Sequence, residues 1–451
     1  MKVIKFGGSS LADGSAVEQA IKIIKADSAR QVIVVSAPGK RIENDIKITD
    51  LLIKYAHLVI NRQNYQPILQ KIFNRYREIG NYFNLTDNEI QIIKNTLEGL
   101  ATSEYPNNDY LLAAFKAHGE LLNAHLISII LNHQGISAVC LTPKNLGLIV
   151  TGKPNNAFVN PETYLNLRNF ALPKNKRIVF PGFFGITPSG NIATFSRGGS
   201  DITGAILARG LHAELYENFT DVDAIFSANP AIIKHPRPIK RMTYREMREL
   251  SYAGFSVFHD EALIPAIQGQ IPVNVKNTRR PDEDGTWIVP EHGFKPQTTI
   301  TGIAGGKNFS ALYLHKYLLN QQSGFTFHIL EILRKYHVPY EHMPSGIDDI
   351  TIIFKKEHLN AKLIDQICTD IQAAVSPDQM KWIDDYAITM VVGEGMKDKL
   401  SLCASILAPL GEENISIQMI NQGASQISIM IGTKRQEAEK VIKTIYQKFI
   451  A

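Results

Sequence analysis

Residues 2–39 read KVIKFGGSSLADGSAVEQAIKIIKADSARQVIVVSAPG, and this stretch decides the fold. Residues 3–6 are a short apolar run that stops at Gly7-Gly8-Ser9-Ser10. Val17, Ala20, Ile21 and Ile24 then recur at helical spacing, and residues 31–36 form a second apolar run ended by Ala37-Pro38-Gly39. Strand, helix and strand in that order, with near-continuous apolar strands, predict a parallel sheet covered on both faces.

Outward from this stretch the same rhythm continues. Residues 40–112 predict a mainly helical insertion and 111–131 a long helix. Residues 137–141, 177–181, 192–195, 214–219 and 272–275 predict further strands. The pattern ends near 287–290, after the turn-rich RRPDEDG. The last third repeats a β-α-β-β-α order with a period of about seventy residues. The first copy has strands at 310–314, 338–342 and 349–354 and helices at 325–336 and 359–374. The second has strands at 387–392, 415–420 and 426–431 and helices at 399–410 and 436–449. The second copy lacks a closing strand, and residues 299–303 supply one, so the two copies interlock. The expected division is 1–295, 296–384 and 385–451.

The 451 residues are 44% hydrophobic and 20% charged, which fits two or three globular domains. The net charge of +5 is spread thinly over the chain, with no basic stripe for nucleic acid or a membrane surface. Cys140, Cys368 and Cys403 are too far apart for a metal knuckle and predict free thiols in a reducing compartment. No signal-peptide core opens the chain and no apolar run could span a bilayer, so a soluble cytoplasmic protein is expected.

Four constellations carry chemistry. At Lys5-Phe6-Gly7-Gly8-Ser9-Ser10 two glycines admit an anion to backbone N–H groups, and Lys5 adds a charge. Alone, this could be a plain strand-to-helix turn with a solvated lysine. Ser196-Arg197-Gly198-Gly199-Ser200-Asp201 is a second glycine turn into a helix. Its Arg suits a carboxylate, and its Asp is otherwise a helix cap. Thr220-Asp221-Val222-Asp223 follows a strand, where open α/β sheets bind ligands, or is an acidic turn. His118-Gly119-Glu120-Leu121-Leu122 places a costly glycine within a helix, which hints at close approach by a neighbour. There is no GxxxxGK[ST], complete GxGxxG or HExxH motif, so any nucleotide is gripped differently from those folds.

KFGGSS, HGELL, SRGGSD and TDVDAI, in this order, resemble the aspartate kinases of the amino-acid kinase family, as do residues 242–266. The repeated C-terminal copies resemble tandem ACT domains. The resemblance implies a three-layer αβα amino-acid-kinase fold with a mainly parallel sheet, followed by two interlocked ACT domains of ferredoxin-like βαββαβ type. With no homoserine dehydrogenase segment following, it resembles the monofunctional type. The implied reaction moves the γ-phosphate of MgATP to the β-carboxylate of L-aspartate, the first step toward lysine, threonine and methionine, under feedback through the ACT domains. Mg2+ is carried mainly by the nucleotide, with no protein metal site.

By the same resemblance Lys5 stabilises the transferring phosphoryl group and Asp201 orients Lys5. Gly7, Gly8 and Ser9 cradle phosphate, and Thr220, Asp221 and Phe226 lie on the nucleotide side. Thr49, Glu120, Arg197 and Ser200 hold the amino-acid substrate. Gly324, Phe325, Ser345 and Asp348 hold an effector, with lysine favoured and threonine possible, or else they only join subunits. ACT sheets usually pair across subunits, which implies a homodimer or a dimer of dimers. The chain departs from many relatives at Phe226, Ala231 and Ser256, and His259 is read as structural. Lys5 is expected to reach the surface and to contribute little to folding. Two rivals remain: a kinase of glutamate or an N-acetylated amino acid, and an inactive amino-acid sensor.

Overall fold

In the computed structural model, which describes residues 1–196, 198–254 and 260–450, the opening stretch forms strand Lys2–Phe6, helix Gly14–Ala26 and strand Arg30–Val35. The two strands pair in parallel. Two compact units divide the chain. One comprises Met1–Ile225, Pro238–Met247 and the described part of 256–294, and the other Phe226–Arg237, residues 248–254 and the chain from Lys295 onward.

An eight-stranded sheet organises the first unit. Its spatial order is Arg241–Thr243, Thr286–Val289, Val273–Asn277, Leu215–Thr220, Lys2–Phe6, Arg30–Val35, Arg177–Pro181 and Ala138–Cys140. Only the junction between Val273–Asn277 and Thr286–Val289 is antiparallel. Strand alternation sends Ile4, Phe6, Ile33, Val35 and Phe219 to one face, into a core shared with Gly14–Ala26, the inserted helices Ile48–Ile60, Gln66–Tyr82 and Gln91–Leu100, and the long helix Asn108–His133. Lys5, Tyr216 and Asn218 take the opposite face. There helix Gly199–Gly210 packs so closely that a Cβ on Gly204 would lie 2.5 Å from the Tyr216 hydroxyl. The result is three layers, α on β on α.

One expected strand falls outside this sheet. Ile192–Thr194 pairs antiparallel with the nearby Phe184–Ile186 as a two-stranded ribbon. The run is too short to bury much, and a local hairpin closes a far shorter loop than a place in the main sheet would.

The second unit holds a five-stranded antiparallel sheet in the order Asp349–Lys355, Gly302–His315, Gln379–Val392, Ser428–Thr433 and Met419–Asn421. Gly302–His315 is one long strand serving both repeats. Gly302 to Gly306 pairs with Val392 to Ile388, and after a register shift Phe309 to His315 pairs with both Lys355 to Asp349 and Tyr386 to Gln379. Helices Phe325–Lys335 and Ala361–Val375 cover one half, and Leu402–Glu412 and Ala438–Phe449 the other, each over its own core. The strand expected at 338–342 is replaced by single bridges, His342 to Ile353 and Ser345 to Ile350. Pro339 and Pro344 lack the N–H groups a ladder requires.

Candidate active site

Lys5 and Asp201 meet although nearly two hundred residues separate them. The Lys5 Nζ lies 2.7 Å from Asp201 Oδ1. Register makes this possible: Lys5 pairs directly with Asn218 on the neighbouring strand, so both side chains leave the same face. The Asn218 amide donates to Asp201 Oδ1 at 2.6 Å, and the Tyr216 hydroxyl donates to the Asp201 carbonyl at 3.2 Å. Asp201 therefore does not cap its helix. The cap position is Gly198, with φ +71°, a conformation that glycine adopts freely. Lys5 is only 7% exposed, which corrects the expectation of a surface lysine. A lysine near the carboxyl end of a strand is buried here because helix Gly199–Gly210 covers it.

The glycine loop lies against a second loop. Gly39 donates its N–H to the Gly8 carbonyl at 2.8 Å, and a Cβ on Gly39 would come within 2.6 Å of the Gly8 carbonyl carbon. Only glycine permits that backbone contact. The Gly7 N–H is engaged by the Phe219 carbonyl at 3.1 Å. Gly8 and Ser9 lead the turn Gly8–Leu11, so their N–H groups have no carbonyl one turn earlier to bond. Ser9 is exposed, while Ser10 is buried and shares a 2.6 Å hydrogen bond with Thr278. A cavity of about 460 Å³ is lined by Ser9, Ser10, Thr220, Asp221, Thr278 and Arg279, among others. Thr220 ends its strand and bonds Asp221 Oδ1 at 3.2 Å.

On the other side of the same loops stands Glu120, only 6% exposed. Its Oε1 accepts the Ala37 N–H at 3.1 Å, and its Oε2 is buried without a hydrogen-bond partner. Burial pushes its carboxyl up to about 8, against the pull of the Ala37 N–H and the charge of Lys116 one turn earlier. Asn123 donates to the Ser36 carbonyl at 2.7 Å, so the long helix holds the 36–39 loop at two points. The helical glycine also has its explanation: a Cβ on Gly119 would approach the Ala37 Cβ to 2.8 Å. Thr49 is the second residue of helix Ile48–Ile60, whose first N–H, from Ile48, bonds the Pro38 carbonyl. Ser200 is 8% exposed and packs on Gly182, whose N–H bonds Val35 at the end of the second strand. These residues therefore gather at the carboxyl ends of the strands, where a doubly wound sheet binds ligands.

Arg197, Ser256 and His259 lie outside the described residues. Phe226 and Ala231 belong to the second unit, Phe226 half-buried and Ala231 exposed. In that unit Gly324 has φ +85° and caps helix Phe325–Lys335. Phe325 itself is 4% exposed and packs in the core with Ile329, Ile332 and Leu333. Helical spacing turns its side chain inward, into that core rather than toward solvent. Ser345 is exposed, and Asp348 Oδ1 accepts the Leu318 N–H at 2.9 Å.

Several residues at the carboxyl edge went unnoticed in the sequence. Asn218 follows Glu217 in the interior of the buried strand LYENFT, and two adjacent polar residues in a central strand are a readable signal. Phe183 holds φ +78°, rare for a bulky residue, and its ring lies 5.7 Å from the Lys116 ammonium. Burial lowers the Lys116 pKa. Neither this strain nor Thr278 leaves a mark that spacing could detect. Among the described residues no group of three His, Cys, Asp or Glu side chains could hold a metal, and no helix is long and apolar enough to cross a membrane.

Comparison with known proteins gives a consistent picture. The amino acid kinase family model matches residues 1–277, and an ACT domain model matches 390–449. Aspartokinase 3 of Bacillus subtilis is 44% identical over 451 residues, which is all of this chain and 99% of that protein. The crystal structure of Clostridium acetobutylicum aspartate kinase superimposes with a TM-score of 0.85 at 36% identity, covering 100% of both chains. Escherichia coli aspartokinase III shares the fold at 23% identity over 99% of both chains, with a TM-score of 0.78 in its complex with aspartate and ADP. Its complex with lysine and aspartate gives 0.77 over 100% of both chains.

Proposed function

The chain belongs to the amino acid kinase family, among its aspartokinases, and we propose that the groups gathered at the carboxyl edge of its sheet divide the work of this phosphoryl transfer in a specific way. The reaction moves the γ-phosphate of ATP to the side-chain carboxylate of L-aspartate, giving 4-phospho-L-aspartate and ADP. Both reactants are anions, so the protein must bring them together and offset their repulsion. The observation that carries our reading is the buried Lys5–Asp201 pair beside a glycine turn with open N–H groups.

Lys5 places its ammonium against the phosphoryl oxygens as charge develops on them. Asp201, held by Asn218, fixes the direction in which that ammonium points. Gly8 and Ser9 donate N–H groups to phosphate, and Gly7 permits the approach. Thr220 and Asp221 form the nucleotide edge. Mg2+ arrives with the nucleotide and is held by its phosphates.

Glu120 receives the α-ammonium of aspartate on its unpartnered oxygen, which supplies the charge partner this buried carboxyl lacks. Arg197 grips the α-carboxylate, and Thr49 and Ser200 close the pocket. The residues from about 296 onward form the regulatory part, divided near 384 into two ACT domains. Lysine is the favoured effector and threonine a second candidate, bound near Gly324, Ser345 and Asp348. The capture of lysine by Escherichia coli aspartokinase III supports that choice. A homodimer or dimer of dimers is supported by exposed Tyr317, Leu318, Phe327 and Ile347 in the same region. The free thiols of Cys140, Cys368 and Cys403 suit a cytoplasmic enzyme.

Trapping the acyl phosphate with hydroxylamine, with aspartate and glutamate assayed side by side, tests the reading. Hydroxamate from aspartate is expected. Product from glutamate alone would reassign the substrate, and none from either would leave an amino-acid sensor.

A further inference from the structure

The phosphate loop is fastened at both ends to consecutive carbonyls of one strand. At its start Gly7 donates to the Phe219 carbonyl at 3.1 Å. At its end Ser10 reaches the next carbonyl, Thr220, through an intermediary. The Thr278 hydroxyl lies 2.6 Å from that of Ser10 and 3.2 Å from the Thr220 carbonyl, and the Thr278 N–H bonds the same carbonyl at 2.9 Å. The proton order follows from chemistry. A carbonyl only accepts, so Thr278 gives its hydroxyl proton to Thr220 and receives that of Ser10. Both residues are buried, so a hydroxyl deprived of its partner has little surface on which to recruit water instead.

Neighbouring residues lock the turn that carries Thr278. The Asn277 amide donates to Asp223 Oδ1 at 2.5 Å, the Arg280 guanidinium pairs with Asp223, and the Arg279 N–H bonds Asn277 Oδ1 at 2.8 Å. The 277–280 turn thus holds the phosphate loop on one side and the Thr220–Asp223 nucleotide edge on the other. Thr278 stands between them and lines the same cavity as Ser9, Ser10, Thr220 and Asp221.

We infer that Thr278 is a positioning residue for the nucleotide: through Ser10 it sets the spacing between the phosphate-binding turn and the nucleotide edge, without serving the amino-acid side. The inference rests on the nucleotide reading of this site. Thr278→Val keeps the shape and deletes the hydroxyl, Thr278→Ser keeps the hydroxyl, and Ser10→Ala removes the other partner. The test on the full-length chain measures the Kd of ADP by calorimetry, the KM of ATP and of aspartate, and the melting temperature.

Losing one net hydrogen bond of this kind should weaken ADP by about 5- to 20-fold in Thr278→Val and in Ser10→Ala. The aspartate KM should stay within about twofold and Thr278→Ser close to the parent. The double variant should be little worse than either single one, because both break the same chain. ADP affinity unmoved in Thr278→Val, a Thr278→Ser as weak as Thr278→Val, or equal loss for both substrates with a lowered melting temperature would each overturn the inference. If Thr278→Val does not fold, Ser10→Ala decides alone. A parent chain that makes no aspartyl hydroxamate overturns the nucleotide reading itself, whereas an active parent with unmoved ADP affinity in the variants overturns only the role of Thr278.

Discussion

Replacing Lys5 by methionine separates its catalytic role from its structural one. The side chain is buried against Asp201, and methionine fills similar space without charge. Loss of one preorganised electrostatic donor costs about 10²- to 10³-fold in kcat, and a full positive charge on a transferring phosphoryl group belongs at or above the top of that range. The same change strands Asp201. Removing one partner of a buried ion pair costs about 3–5 kcal/mol. Here Asp201 keeps the Asn218 hydrogen bond and an 18% exposed side chain, so about 2 kcal/mol is the better figure. The double variant Lys5→Met/Asp201→Asn removes the orphaned charge, so most of that stability should return while turnover stays about 10³-fold down. Hydroxamate formation gives the rate, and the urea midpoint of the first unfolding transition gives the stability. If activity returned together with stability in the double variant, the lysine would be a structural element and our account of the chemistry would be wrong.

Other tests follow from the same site. Because burial holds Glu120 up to about 8, the ligand-free site is mostly protonated at neutral pH; the aspartate KM should therefore fall as pH rises toward 8 and flatten above it, a trend that Glu120→Gln should abolish while raising KM by about 10- to 100-fold. The stability consequence has the opposite sense: a folded-state value above the usual 4.5 means that Glu120 lowers stability progressively from pH 4.5 to 8, so Glu120→Gln should narrow the gap between urea midpoints at pH 6 and pH 8.5. Gly39→Ala drives a methyl group into the Gly8 backbone and should cost about 1–3 kcal/mol with a raised ATP KM, read from thermal melting and initial rates. Arg30 and Glu217 form a buried bidentate pair across the sheet; Arg30→Met should destabilise by about 3–5 kcal/mol in urea while leaving both KM values unchanged at low temperature. Asp348→Ala should weaken inhibition by lysine and leave uninhibited turnover intact, as a lysine titration would reveal.

Much of the fold was legible because buried parallel strands have a plain signature, as 3–6, 31–36 and 177–181 illustrate. Partner choice was less so. Residues 192–195 look like any other short apolar run, and nothing in their composition distinguishes a local ribbon from a place in the main sheet. At 338–342 Pro339 denies the ladder an N–H, as Pro344 does just beyond, and neither the apolar pattern nor the repeat registers that loss. Lys5, Asp201 and Glu120 were readable as motif members, yet their burial was not. It depends on which helix lies across the strand end, a tertiary fact. Thr278 shows the limit most clearly, since its meaning arises from a hydroxyl 268 positions away in the chain.

The strand Gly302–His315 restricts how this protein could be recombined. A cut between the two regulatory repeats would leave the C-terminal half without the Gly302 to Gly306 ribbon, its N–H and C=O groups raw along Ile388 to Val392, and would bare the matching groups of Gly302 to Gly306 in the other half. Chimeras with relatives should therefore exchange the stretch from about residue 299 to the C-terminus as a single cassette. Fragments divided near residue 384 should be insoluble or pair edge to edge with themselves.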